Sequence, residues 1–269
     1  MKKKIINIIL IILKILFISA ILVLIVTAQI AHGQRLNRKN LKMDSTYLKN
    51  IIINRDSTGN VYITESDILN DVKQGGIFDK KENSLVKKVS LLESMLNNNS
   101  IVKNADVYMD LSGEIFMQLT EYQPIARIEN KNNQVFYLTK DFTKMERKIG
   151  YTAYLILANG NISEQFDGKK QIGTDSLSLQ MMKNLNSLIV KIQQDDFLCN
   201  HIEAIYFLPN GNMELYTKVL GQKVIFGGFE NIDDKLLKMK LLYTKGINSR
   251  GWKNFESVDV RYKNQIVCK

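Results

Sequence analysis

The sequence contains few of the residues that build metal and catalytic sites, with two cysteines and two histidines among 269 residues. Cys199, Cys268, His32 and His201 do not have the clustered spacing that a structural zinc site requires. Glycine-rich phosphate loops and the short motifs of hydrolases and metalloproteases are also missing from the sequence. We therefore predict no metal, no cofactor and no catalytic centre.

The few remaining candidates for chemistry have ordinary structural explanations. Neighbouring carboxylates such as Asp195-Asp196 and Asp233-Asp234 diverge on a helix or strand, so neither doublet forms a catalytic pair by itself. Asp233-Asp234 suits the first turn of a helix, where the macrodipole favours negative charge. We interpret His201 as a packed or solvated residue and Trp252 as a core or boundary aromatic.

Two cysteines leave the redox state open. A Cys199–Cys268 disulfide is permitted if this part of the chain lies outside the cytoplasm, whereas two buried thiols are the interpretation that we favour. The spacing of the two cysteines does not decide between them.

Acidic residues are outnumbered, and the formal net charge is +10. The lysines and arginines are spread along the chain and form no basic stripe interleaved with aromatic residues, so we predict no nucleic-acid partner. Anionic lipid headgroups attract juxtamembrane cations, and a basic protein beside a membrane explains the excess as well.

A long apolar run does occur near the N-terminus. Residues 5–31 are almost free of charge and long enough to cross a bilayer, which predicts a transmembrane helix behind a cytoplasmic tail of residues 1–4. Lys14 lies near enough to the basic end to snorkel there. A cleaved signal peptide ending near Val26-Thr27-Ala28 is the alternative, but the run is longer than a usual signal core. A long domain after a short basic tail favours a cytoplasmic N-terminus and an extracytoplasmic C-terminal body.

Residues 32–46 read as a polar linker, and residues 47–122 carry signals of a small α+β domain. After an extended run at Leu48–Asn54, Thr64 predicts a helix that starts at Glu65 and stops at Gly75-Gly76. Ser84 predicts a second helix that ends at Asn97–Asn99. Apolar and polar residues then alternate on either side of Ser112-Gly113, with Leu111 in the inward-facing apolar series, which indicates a hairpin. Strand, helix, helix, strand, strand is the order of a POTRA domain.

Residues 123–269 predict a second, mixed β-domain with two helices and terminal edge strands. The predicted strands are Val135–Leu138, Tyr154–Ala158, Ile202–Phe207, Met213–Tyr216, Val224–Phe226, Ser257–Tyr262 and Gln265–Val267. The predicted helices are Leu177–Ile192, with Met181 on its apolar face, and 232–245, with Asn231 as its cap and Gly246 as its stop.

Three short motifs carry a resemblance to a known family. They are Ile101-Val102-Lys103-Asn104-Ala105-Asp106-Val107, Glu121-Tyr122-Gln123-Pro124-Ile125-Ala126-Arg127 and Val258-Asp259-Val260-Arg261-Tyr262. Together they resemble the FtsQ/DivIB family of bacterial cell-division proteins. The resemblance implies one membrane helix, a POTRA domain that serves recruitment and a β-domain whose last strands bind FtsB within the FtsB–FtsL pair.

The resemblance also implies a partner-binding site at the C-terminus. Arg261 and Tyr262 lie within the matched motif, and the residues that follow depart from the family pattern but complete the candidate set: Lys263, Asn264, Gln265, Ile266 and Val267. A strand so near the end of a chain is often an edge, and an edge offers unpaired backbone groups to another strand.

The expected function is that of a non-catalytic divisome scaffold in the inner membrane. It would link early and late division proteins by protein–protein interaction and bind an FtsB/FtsL-like pair by β-strand addition. One alternative is a POTRA-containing envelope assembly or secretion factor, which would carry several tandem POTRA units where we find one. Another is a secreted enzyme, whose catalytic residues we do not find.

Overall fold

The structure is a computed structural model that describes residues 19–29, 48–55, 60–78, 85–148, 153–173, 175–219, 221–246 and 255–269. Several predictions fall outside these residues: the cytoplasmic tail 1–4, positions 5–18 and 30–31 of the predicted span, the linker 32–46, the Ser84 cap and Trp252.

Residues 19–29 form a helix, here α1, and all eleven of its described side chains are exposed. Thr27 Oγ1 donates to the carbonyl of Val23 at 2.9 Å, as hydroxyls inside apolar helices commonly do. Within the described part of the chain, no helix has both the length and the apolar character needed to cross a membrane. The predicted transmembrane helix 5–31 therefore stays a prediction.

The next five elements follow the predicted order of strand, helix, helix, strand and strand. They are β1 (Leu48–Asn54), α2 (Glu65–Gln74), α3 (Leu85–Asn98), β2 (Val102–Met109) and β3 (Ile115–Glu121). The three strands form a sheet in the order β1-β3-β2, so the predicted hairpin is present.

Local signals account for the bounds of these elements. Helix α2 begins at Glu65 as predicted, and it ends where Gly76 takes a left-handed φ of 57° and donates to the Lys73 carbonyl. Leu111 was expected to face inward but is 82% exposed, because β2 ends at Met109 and Leu111 lies in the hairpin loop.

Most of the remaining chain forms one nine-stranded mixed sheet. Its strands are β4 (Pro124–Glu129), β5 (Val135–Thr139), β6 (Lys144–Glu146), β7 (Ile156–Gly160), β8 (Ile202–Phe207), β9 (Met213–Thr217), β10 (Lys223–Gly227), β11 (Ser257–Asp259) and β12 (Val267–Cys268). They lie in the order β12-β11-β10-β9-β8-β7-β4-β5-β6. Strands β4, β7 and β8 are parallel, as are β10 and β11, and the other neighbours are antiparallel.

The helices of this region connect the parallel strands. They are α4 (Ser176–Gln193), α5 (Asp196–His201) and α6 (Ile232–Leu241), and α6 continues as a π-helical turn (Leu242–Gly246). Two helices were predicted here, and the structure adds α5, which is too short to show a helical period. On α4 the buried methionine is Met182 and not the predicted Met181. Asn231 precedes α6 in a left-handed conformation, and its side chain makes no capping hydrogen bond.

The described residues divide into two compact units. One contains described residues up to Ile52 together with Glu65–Met95 and Asp106–Gln118, and the other contains Ile53–Thr64, Leu96–Ala105 and Leu119–Lys269. The domain boundaries 47–122 and 123–269 expected from the sequence remain a prediction.

The core of the second unit lies between the large sheet and its helices. Residues of α4 such as Leu185, Leu188 and Ile192 are fully buried together with Ile205, Leu215 and Val258 of the sheet. Helix α4 contacts β4, and α5 contacts β8, α4 and α6. Alternating burial along β9 shows that only one face of this strand lies in the core.

Candidate functional site

The predicted binding residues lie at one end of the nine-stranded sheet. Strand β10 is followed by α6, which returns the chain to β11, and β11 runs parallel to β10. Strand β12 then pairs antiparallel to β11, with Val258 opposite Cys268 and Asp259 opposite Val267. Among the described strands, β12 is the outermost on this side.

Both terminal strands are shorter than predicted. Strand β11 was expected to reach Tyr262 but ends at Asp259, and β12 comprises Val267–Cys268 where Gln265–Val267 had been expected. Lys263 and Asn264 form the turn between the strands, with Asn264 in a left-handed conformation at φ 60°. Asparagine tolerates this conformation better than most residues. Residues 261–265 are therefore an exposed connection and not part of a strand.

The pairing with β11 fixes which backbone groups of β12 face outward. Ser257 and Lys269 exchange two hydrogen bonds, of 3.1 and 2.9 Å, so they form a hydrogen-bonded pair. Such pairs alternate with non-hydrogen-bonded pairs in an antiparallel ladder. Cys268 belongs to the second kind, and its N–H and C=O point away from β11. Ile266 lies two residues before Cys268, just outside the paired strand.

The side chains of Ile266 and Cys268 face the core, against which both are partly buried. The nearby Tyr243 is buried, and its hydroxyl lies 2.5 Å from Oε1 of Gln222, whose Nε2 donates to the Phe255 carbonyl. Burial raises the pKa of the Cys268 thiol. The outermost strand is thus held by its side chains while its outer backbone faces away from the sheet.

Arg261 is held in place by the strand that precedes it. Its Nε donates to Oδ1 of Asp259 at 3.0 Å, and its Nη2 donates to Oδ2 at 2.7 Å. This two-point contact raises the pKa of Arg261. Burial alone would raise the pKa of Asp259, but hydrogen bonds from the side chain and the amide of Arg261 hold it below its usual range.

Two further elements shape the surroundings of Arg261 and Tyr262. Gly227 ends β10 with φ 79°, and a Cβ there would lie 3.0 Å from both Cγ and Cδ of Arg261, so the glycine leaves room for the arginine stem. Lys238 of α6 donates to the Tyr262 carbonyl at 2.7 Å. The Tyr262 side chain itself is 46% exposed.

The opposite edge of the same sheet is covered by the chain. Thr139 donates to the Thr143 carbonyl, and the register then turns the amides of Lys144 and Glu146 away from β5. Both amides have partners: Lys144 donates to the Lys170 carbonyl at 2.7 Å, and Glu146 donates to the Ser100 hydroxyl at 3.1 Å. No comparable hydrogen bond joins the amides of Ile266 or Cys268 to another described residue.

The structure brings Arg261, Tyr262, Ile266 and Val267 to one edge of the sheet and leaves Lys263, Asn264 and Gln265 in the turn. The sequence did not predict the contributions of Asp259, Gly227, Lys238 and Cys268. The aspartate two residues before Arg261 was the one signal that could have been used, since its carboxylate accepts hydrogen bonds from the arginine side chain.

The other candidates have structural roles. Asp195 caps α5 by accepting from two amides, of Phe197 and Leu198, and it pairs with Lys240 at 2.6 Å. Asp233 and Asp234 lie in the first turn of α6 and pair with lysines. His201 is buried between the rings of Phe197 and Tyr243, and burial together with the charge of Lys218 lowers its pKa to about 4.

Both cysteines are half-buried free thiols, so the permitted disulfide is not formed. In the parts of the chain with described coordinates, no group of three or more His, Cys, Asp or Glu residues is arranged to hold a metal ion.

A family model described as FtsQ/DivIB, C-terminal related, matches residues 123–269, which is more than half of the chain. The chain belongs to the FtsQ/DivIB C-terminal related family. No curated protein matches it.

Membership in the FtsQ/DivIB-related family indicates a role in cell division and interactions with other division proteins. The matched region contains the whole nine-stranded sheet and therefore both of its edges.

Proposed function

We propose that this FtsQ/DivIB-related chain is a non-catalytic scaffold of the division machinery that binds a partner strand at β12. The partner is a pair of the FtsB and FtsL type, and the scaffold links early to late division proteins. The observation that supports this most is the outward direction of the Cys268 backbone on the outermost described strand. An incoming strand gains hydrogen bonds there without disturbing the β11–β12 pair.

The side chains around β12 supply specificity. Arg261, Tyr262 and Lys263 are exposed beside the strand, and the Asp259 contact restrains the Arg261 guanidinium before any partner arrives. A restrained side chain loses less conformational entropy on binding. Arginine and tyrosine are also enriched at the centres of protein interfaces.

The remainder of the chain would determine where in the cell the β12 edge lies. A helix formed by residues 5–31 would anchor the chain in the inner membrane with the N-terminus in the cytoplasm, and the C-terminal body would lie outside the cytoplasm. The β1-α2-α3-β2-β3 region, as a POTRA domain, would recruit other division components. The order of these five elements supports this assignment.

Photo-crosslinking in dividing cells tests the binding site. A photoreactive amino acid replaces Tyr262 in the full-length chain, and we expect an ultraviolet-dependent adduct with an FtsB- or FtsL-type protein. The matched control carries the same amino acid at Glu146, which is exposed on the covered edge. That position should give no such adduct.

Two outcomes would count against the proposal. Absence of an adduct at Tyr262 while the protein is present at normal levels would remove β12 as the docking strand. An adduct with an envelope assembly or secretion component would support the alternative function instead. Loss of the protein should also produce filamentous cells that fail to separate.

A further inference from the structure

A second concave surface of the C-terminal unit lies away from β12. It is a cleft of about 370 Å³ where strands β7 and β8 begin, and it is bordered by β4, by the end of α4 and by α5. Strand β8 is four positions from β12 in the sheet order, which corresponds to about 19 Å at the usual strand spacing. The cleft is therefore separate from the proposed strand-binding edge.

Arg127 supplies the main charge of this cleft. It projects from β4 into the lining and is half-buried, and its guanidinium makes no ion pair or hydrogen bond with any described residue. Most of the other cations that the structure places in the interior of this unit are paired, as Lys144 is with Glu164 at 2.9 Å. An arginine in a concave site that has no counter-ion among the described residues is suited to two-point recognition of a carboxylate.

Lys218 adds a second cation to the same cleft. Its ammonium lies 4.8 Å from the centre of the Tyr154 ring and donates to the Cys199 carbonyl at 3.2 Å, so it is held in position. The one carboxylate in the lining is Glu203, which is exposed and makes no ion pair with a described residue. Two cations and one anion leave the cleft net positive.

The floor of the cleft is apolar. Ile156 and Ile202 are buried, and Leu155 and Leu157 are half-buried. The ring of Tyr154 is 81% exposed at the rim. The apolar group of a ligand would cover this surface while its charged end contacts Arg127. Small-molecule sites commonly combine an apolar lining with a few polar groups that fix the orientation of the ligand.

We infer that this cleft binds a carboxylate joined to an apolar group, with Arg127 and Lys218 as the anion-recognising residues. The same chemistry occurs at the C-terminus of a peptide that ends in a hydrophobic residue and in a free aliphatic acid. The inference is independent of the function proposed for β12.

Calorimetric titration of the full-length chain in non-ionic detergent tests the inference. The probes are N-acetylleucine, which mimics a peptide end, hexanoate, which is a free acid, and the neutral N-acetylleucinamide. We expect saturable binding of at least one acid and none of the amide. Preference for N-acetylleucine over hexanoate assigns the ligand to a peptide end, and the reverse preference assigns it to a free acid.

Variants assign the binding to the cleft. Arg127→Met should weaken binding of the acid about tenfold or more, because a charge-assisted contact is lost. Lys218→Met should weaken it less, and Glu203→Gln should strengthen it by removing a like charge. The control is Arg147→Met, which alters an exposed arginine outside the cleft.

The opposite signs expected for Lys218→Met and Glu203→Gln keep the test decisive even if Arg127→Met impairs folding. Absence of saturable binding, equal binding of the amide, or an equal effect of Arg147→Met would overturn the inference. None of these results bears on crosslinking at Tyr262, so this inference and the β12 proposal fail separately.

Discussion

The two edges of the nine-stranded sheet differ in how their outward backbone groups are satisfied. At β6 the amides of Lys144 and Glu146 bond to the Lys170 carbonyl and the Ser100 hydroxyl. At β12 the amide of Cys268 points outward and has no hydrogen-bond partner among the described residues. Proteins usually protect sheet edges because open edges pair with other chains. Among the described residues, the same sheet therefore has one edge whose outward amides are hydrogen-bonded and one edge whose outward amide at Cys268 is not.

Side chains as well as backbone separate the two edges. Below β6, Lys144 and Glu164 form a buried ion pair at 2.9 Å, and Ser178 and the Gly173 amide also donate to the Glu164 carboxylate. Beside β12, the Arg261–Asp259 pair lies at the surface, with the arginine side chain 42% exposed. Fixed buried charge accompanies the protected edge, and accessible charge accompanies the open one.

Loss of the buried Glu164 carboxylate beneath β6 should cause the largest loss of stability. Glu164→Gln leaves the Lys144 ammonium buried without its main counter-ion, which should lower the free energy of unfolding by about 3 kcal/mol. Chemical denaturation followed by circular dichroism measures this loss. The matched control is Lys103→Met, which removes the exposed Lys103–Asp141 pair and should cost less than about 1 kcal/mol. Equal losses in the two variants would refute the account of the β6 edge.

Loss of the Lys170 side-chain hydrogen bonds beside β6 should cause the next largest loss of stability. Lys170 donates to the carbonyls of Asn97 and Val102 at 2.6 and 2.5 Å, and burial lowers its pKa. Lys170→Met loses both hydrogen bonds, so we expect a loss of stability of about 2 kcal/mol. Because the same residue's carbonyl covers the Lys144 amide, the variant should also self-associate more readily. Light scattering against concentration would detect this, and an unchanged monomer fraction would argue against edge protection.

Acidification should cause a smaller loss of stability, through the buried His201 that packs against Tyr243. His201 packs against Tyr243, and its pKa is lowered from 6.5 to about 4 by burial and by Lys218. Below pH 6.5 the His201 imidazole therefore becomes protonated in the unfolded chain, whereas in the folded chain it stays neutral down to about pH 4. Stability is fully present above pH 6.5 and should fall by about 1–2 kcal/mol between pH 7 and pH 5. Unfolding measured across this range should show a flatter profile for His201→Phe, and identical profiles would exclude the histidine as the cause.

Sequence periodicity predicted the elements whose side chains face a single core. Strand β8 was predicted with its observed bounds, and the start of α2 at Glu65 follows from local capping chemistry. Helix α5 was missed because six residues show no period, although the capping role of Asp195 could have indicated it. Strand β6 was not predicted, because it has only three residues and depends on pairing with β5.

The candidate site was only partly predictable for a similar reason. The motif through Arg261 and Tyr262 pointed to the segment beside the outermost strand, but the position of the Arg261 side chain depends on Asp259 and on the space left by Gly227. The cover on β6 depends on Ser100 and Lys170, which are far from it in sequence. Contacts between distant segments have no periodic signature, so the difference between the edges could only be seen in the fold.

Amide hydrogen exchange on the full-length chain tests the difference between the edges most directly. Resolved to single residues, the amides of Lys144 and Glu146 should exchange slowly, and those of Ile266 and Cys268 should exchange rapidly. Addition of an FtsB- or FtsL-type partner should slow only the second pair. Slow exchange at Ile266 and Cys268 in the chain alone, at rates like those of Lys144 and Glu146, would contradict the account.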